Sequence, residues 1–297
     1  MHMNMSTQRQ TLNMVVMTFF IIFYIIPFSP IGLVDGDLSI DKRLYGGWEA
    51  RIEDLPYNVY LGHLHFICGG CLLNEYWVLT VAHCVVELLD QELKEWVVAG
   101  VNDDLRSEAE QIYRMESIYI HPKYTKGHFN DDIALIRVEK PIQFNERVQP
   151  IQLPWKGEKL RPGEVCLASA FGMPSFKDER NFRLRAMFMQ VADMDICDEA
   201  IGKREPREGI QDRRKDSYCL VSKWTGTCRG DSGSAIVASR HGVKVLFGLI
   251  SYGEPTCDPT FRGQSESLMV NVPYYLDWIK ATMRQSLPDC GLFCDLS

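Results

Sequence analysis

The sequence predicts an all-β fold of the sandwich or barrel kind, and three observations predict it. Short runs rich in Val, Ile, Tyr and Phe recur from about residue 44 onward, separated by polar breaks. Only two stretches carry helical spacing. The 10 cysteines all lie at or beyond Cys68 and are widely spaced, the pattern of a disulfide framework in an oxidising compartment.

The strand candidates run in order as YNVYLGHLHFI, YWVLTVA, EWVVAGV, IALIRV, EVCLASAFG, RAMFMQVA, SAIVAS, VKVLFGLISYG and SLMVNV. Many such strands over more than 200 residues suit sandwiches or barrels. One short helix is expected around Ala192 to Gly202. A second starts at Val272, with Pro273 fitting its first turn. There Tyr275, Trp278, Ile279 and Thr282 recur on one face that docks against the rest. The polar stretch Gly202 to Asp216 reads as an exposed loop, and Pro154 to Glu164 as a linker between two halves.

At 297 residues the chain has room for one large or two small domains with a full core. The formal charge of −7, with no long basic run, gives no reason to expect a nucleic-acid partner. Cys68-Gly-Gly-Cys71 has the form of a metal knuckle, but no second pair follows it, so no metal is expected. Met1 to Gln10 is polar and carries Arg9, and Leu12 to Phe28 is almost wholly apolar. That run suits a signal peptide better than a retained anchor, because a membrane span needs about 20 apolar residues. The chain is therefore expected to be secreted, with the leader ending near residue 30.

Three segments carry chemistry: Thr80-Val81-Ala82-His83-Cys84, Asn130-Asp131-Asp132-Ile133-Ala134-Leu135 and Gly230-Asp231-Ser232-Gly233-Ser234. A serine hydroxyl is a weak nucleophile near neutral pH and needs an imidazole to take its proton and return it. The imidazole needs a carboxylate to fix its tautomer and stabilise its charged form. Glycines beside the serine let backbone N–H groups converge on an oxyanion. The order His, Asp, Ser differs from that of an α/β-hydrolase, whose histidine comes last.

With these motifs the chain resembles the trypsin/chymotrypsin family of serine peptidases. The likeness rests on RLYGG at 43–47, CGGCLLNEYWVLTVAHC at 68–84, HPKY at 121–124, DDIALI at 131–136, CLASAFG at 166–172, TCRGDSGSAIV at 227–237, SYG at 251–253 and YLDWI at 275–279. It implies two packed six-stranded β-barrels with a C-terminal helix. The implied layout is a signal peptide at 1–30, an activation propeptide at 31–43, a peptidase domain at 44–286 and a cysteine-containing tail at 287–297. Within the domain, barrel 1 covers about 44–153, barrel 2 about 165–271 and the helix about 273–286.

The resemblance assigns His83 as general base, Asp132 as its orienting partner and Ser232 as nucleophile. It gives the Gly230 and Ser232 amides to the oxyanion hole, has Ser251 support Asp132, and leaves Asp131 at the surface. It implies activation by a trypsin-like protease that cuts after Arg43, so that the Leu44 ammonium pairs with Asp231. The new terminus is Leu-Tyr-Gly-Gly where the family usually has Ile-Val-Gly-Gly. Protein or peptide substrates and protein inhibitors are the implied partners, with no cofactor. Val101 stands where calcium-binding members carry an acid, so calcium is not expected.

Gly226 falls at the floor of the primary pocket, where trypsin-like members carry Asp. Thr227 and Ser267 fall on its lining, and Gly253 leaves one wall open. Without a carboxylate, a buried Lys or Arg would be unpaired, so cleavage after large apolar residues is expected, with smaller aliphatic ones second. The bridges carried over are Cys68–Cys84, Cys197–Cys219 and Cys228–Cys257. A fourth cannot form, because Ala238 stands where the partner of Cys166 belongs. Cys290 and Cys294 are expected to pair locally, which leaves Cys71 and Cys166 bonded to each other or free. The competing reading is a catalytically weak or inactive homologue that serves as a binding or regulatory module.

Overall fold

The computed structural model describes residues 47–63, 66–86, 96–102, 111–128, 130–172, 183–204, 215–253, 257 and 263–285. The leader, the propeptide with Arg43, Leu44, and the tail with Cys290 and Cys294 lie outside the described residues. Six antiparallel strands close the first barrel: β2 (Asn58–His63), β3 (Phe66–Leu72), β4 (Trp77–Thr80), β5 (Trp96–Ala99), β6 (Gln111–Ile120) and β7 (Ala134–Val138). They close in the order β2-β3-β4-β7-β6-β5. Every residue of β4 is buried.

The second barrel contains β8 (Val165–Ala170), β9 (Arg185–Ala192), β10 (Ser217–Lys223), β11 (Ala235–Arg240), β12 (Val243–Tyr252) and β13 (Gln264–Asn271). They run β9-β10-β13-β12-β11-β8, and the β8–β9 pairing completes the circuit. Alternation is plain in the second half of β9, where Met187, Met189 and Val191 are buried while Phe188 and Gln190 face out. The short β1 (Trp48–Glu49) precedes barrel 1 in sequence but pairs with β9, Trp48 opposite Ala186. The fold is thus the predicted all-β pair of six-stranded barrels with a C-terminal helix.

The helices refine the sequence reading. The expected short helix is α2 (Met194–Arg204), and one additional turn, α1 (Ala82–Val85), follows β4. The C-terminal segment starts as a 3-10 turn, Val272–Tyr275, with Pro273 in its first positions, and continues as α3 (Leu276–Gln285). Tyr275 and Ile279 are buried in the larger core, and Trp278 packs against it. Among the described residues no helix is long and apolar enough to cross a membrane.

The bridges Cys68–Cys84, Cys197–Cys219 and Cys228–Cys257 are present. Cys71 and Cys166 are free and buried, and they sit in different cores. Cys166 shares its core with Ala238 and is a small apolar group there. Burial pushes its thiol up to about 12, and pushes that of Cys71 up as well.

Candidate active site

The site is assembled where the two barrels meet. β4 ends at Thr80, and the chain turns at once into α1, which carries His83. Ala82, Cys84 and Val85 are buried around it, and the Cys68–Cys84 bridge fastens this turn to β3. The imidazole keeps part of its surface exposed, as a proton carrier in a cleft must. Asp132 lies just ahead of β7 and is buried. Its Oδ2 meets His83 Nδ1 at 2.7 Å, and its Oδ1 accepts the His83 backbone N–H at 2.9 Å. Ser251 Oγ, from β12, donates to Oδ2 at 2.6 Å. The carboxylate is therefore gripped from both barrels. It favours the tautomer with the proton on Nδ1 and leaves Nε2 as the basic nitrogen.

Ser232 lies in the turn that leads into β11 and is half-buried. Its carbonyl accepts the Gly69 N–H of β3 at 2.8 Å, and the Gly233 N–H donates to Ile250 O at 2.7 Å. Gly233 has φ +82°, and a Cβ there would stand 2.3 Å from both Gly69 O and Thr80 Oγ1. No other residue fits that approach, so glycine at this position keeps the serine loop pressed onto barrel 1. Cys71 Sγ–H points at the Gly233 carbonyl, 3.8 Å away. Gly230, also at positive φ, precedes Asp231 in the same loop.

Asp231 is buried. Its carboxylate accepts the Gly172 N–H at 3.1 Å and the Cys228 N–H at 2.6 Å. Burial outweighs these two donors and raises its pKa to about 7. The residues that would deliver a cation to it, Arg43 and Leu44, lie outside the described residues.

The pocket beside the serine corrects one expectation. Gly226 and Thr227 are buried, and Thr227 Oγ1 lies 3.0 Å from Ser267 Oγ. A Cβ built on Gly253 would fall 1.8 Å from Thr227 Oγ1. The wall that Gly253 was expected to leave open is partly taken up by the Thr227 hydroxyl, for which the missing side chain makes room.

A second correction concerns Asp131, expected at the surface. Its carboxylate is mostly covered and lies 3.3 Å from His121 Nδ1. It also accepts the Tyr275 hydroxyl at 3.0 Å. Its backbone N–H donates to Asp216 Oδ2 at 3.2 Å. Asp216 itself, expected at the end of an exposed loop, is buried. The charge of the surrounding stretch hid it, and its partner stands 85 positions away.

The arrangement defines a class of protein: a two-barrel chain with a carboxylate–imidazole pair and a glycine-flanked serine at the barrel interface. The trypsin family model matches residues 44–279, and the chain belongs to that family. Two sequences of complement C1s-1 subcomponent from Mus musculus are each 28% identical to it, over 86% of this chain and 37% of their own length. Vitamin K-dependent protein C from Oryctolagus cuniculus is 30% identical over 85% of this chain and 55% of its own length. The chain therefore spans well under two thirds of these relatives.

Proposed function

We propose that the chain is a secreted serine endopeptidase, made as a precursor and activated by a trypsin-like protease that cuts after Arg43. One observation carries the reading. The buried Asp132 carboxylate is closed on His83 Nδ1 and Ser251 Oγ, which leaves the far imidazole nitrogen free to act as base. In the proposed reaction Ser232 Oγ attacks the peptide carbonyl carbon as its proton passes to His83 Nε2. The tetrahedral oxyanion is held by the Gly230 and Ser232 amides. Collapse expels the amine, which takes the proton from His83 and leaves an acyl group on Ser232. Water, deprotonated by the same imidazole, then releases the acid. The substrates are proteins or peptides, and protein inhibitors are natural competitors for the cleft.

Activation supplies the Leu44 ammonium to Asp231, replacing an uncompensated buried carboxyl by an ion pair. The pocket favours an uncharged side chain, because Gly226 stands at its floor where trypsin-like members carry Asp. With Thr227 against Gly253, a small aliphatic group fits best, and a large one enters only if Thr227 turns away. The test is turnover of an uncharged peptide substrate by the chain cleaved after Arg43. Ser232→Ala and His83→Ala are each expected to lower kcat by about five orders of magnitude, and the double variant by little more. Turnover by Ser232→Ala near that of the parent would refute the assignment.

A further inference from the structure

Behind the carboxylate–imidazole pair lies a second polar cluster that the proposed mechanism does not use. Asp131, next in sequence to Asp132, has φ +52°. For a residue with a Cβ that left-handed conformation is uncommon and is held by its neighbours. The enforcing contacts come from three separate places. Asp216, at the entrance to β10 in barrel 2, accepts the Asp131 N–H on Oδ2 at 3.2 Å. Tyr275, in the 3-10 turn that leads to α3, donates its hydroxyl to Asp131 Oδ1 at 3.0 Å. His121, just past β6, places Nδ1 3.3 Å from the same oxygen and stacks edge-on against Tyr275 and Trp278.

Asp216 is itself fixed. Ser217 Oγ donates to its Oδ1 at 3.1 Å, and its carbonyl accepts the Asn271 N–H at 2.8 Å. Its free carboxylate oxygen is thus aimed at one peptide group of the other barrel. If that contact is lost, residue 131 relaxes toward an ordinary φ. The next residue, which carries the carboxylate facing His83, then turns with it.

We propose that Asp216 is a positioning residue for the triad, holding from barrel 2 the strained Asp131 backbone that presents Asp132 to His83. The proposal rests on the protease reading above. It has a pH signature because the latch's acceptor is a carboxyl that titrates. Among the described residues, the titratable groups around Asp216 are Asp131 and Tyr275, with Tyr274 beside Tyr275, and His121 with Lys123 beyond Asp131. Burial raises the Asp216 carboxyl above the ordinary carboxylate range, and the nearby Asp131 adds to this. Burial also lowers the His121 pKa, so His121 is mostly neutral at neutral pH and offsets little of that charge. Ionisation of Asp216 changes the strength of the bond it accepts from the Asp131 N–H, so the latch responds to pH.

The experiment compares the full chain, cleaved after Arg43, with its Asp216→Ala and Asp216→Asn variants. Two readouts are taken: steady-state kinetics on an uncharged peptide amide, and the far-downfield proton resonance of the His83–Asp132 hydrogen bond. Asp216→Ala is expected to lower kcat on the order of ten- to a hundred-fold, with KM little changed, and to shift or broaden the resonance. Asp216→Asn keeps the acceptor oxygen and is expected to recover most of that loss. It is also expected to remove from the kcat profile one ionisation lying above the usual carboxylate range. A parent-like kcat and resonance in Asp216→Ala would overturn the proposal, as would an Asn variant as impaired as the Ala variant. If Asp216→Ala does not fold, the pH profile of Asp216→Asn decides alone, and a profile identical to the parent's overturns the latch. If the parent chain turns over no substrate, the protease reading fails, while the resonance comparison still decides whether Asp216 positions Asp132.

Discussion

The buried Asp231 predicts that the uncleaved precursor is destabilised as pH rises, and that cleavage removes the effect. Its carboxyl has an ordinary pKa of 3.8 and is held at about 7 by burial. A rise of that size disfavours the charged form by about 4 kcal/mol. The folded chain therefore binds this proton more tightly than the unfolded chain. The stabilisation is complete below the ordinary carboxylate value and is lost as pH climbs from about 4 to about 7. An ammonium delivered by cleavage after Arg43 favours the ionised carboxylate and reverses the sign of the shift. The assay is urea unfolding from pH 4 to pH 8 of four proteins. These are an Arg43→Gln precursor, the same precursor with Asp231→Asn, and a Ser232→Ala chain before and after cleavage. The Arg43→Gln precursor should lose up to about 4 kcal/mol across that window relative to its Asp231→Asn partner, and the cleaved chain should not. Parallel pH curves for the Arg43→Gln precursor and its Asp231→Asn partner would refute the argument.

Two further outcomes follow from the same geometry. Arg43→Gln should leave the precursor inert after exposure to a trypsin-like protease, read as the absence of both a new Leu44 terminus and turnover; full activity with an intact Lys42–Leu44 segment would contradict the activation scheme. Thr227→Gly should open the pocket wall against Gly253 and raise kcat/KM for Phe-ending reporter peptides about ten-fold relative to Ala-ending ones, since a buried side chain of that size gains a few kcal/mol once it fits. An unchanged ratio would mean that Thr227 does not set the limit.

The fold was legible because its signals are local. Strands such as VKVLFGLISYG are rich in strand-forming residues, and the packed face of α3 repeats at the helical period. The residues around His83, Asp132 and Ser232 were legible for a related reason: each sits in a short contiguous motif. What escaped the sequence depends on contacts between distant segments. Asp131 and Asp216 read as two charges among many, and only closure of both barrels puts one under the backbone of the other. Gly253 read as an open wall, because a missing side chain looks like space until a neighbour is seen to occupy it. The one-turn α1 is too short to carry any periodic signal.

The pairing of β1 with β9 has a consequence for the order in which the protein is built. Residues 48 and 186 must meet, although all of barrel 1 lies between them in the chain. Barrel 1 needs only residues 58 to 138 and can close as soon as they have emerged. The segment β1, just after the proposed cleavage point, has nowhere to dock until β9 exists. Closing so long a loop is slow relative to local strand pairing. A cut after Arg43 made before that moment would release a terminus with no Asp231 pocket to receive it. In the proposed scheme, completion of the second barrel therefore comes before activation whenever the cut is made.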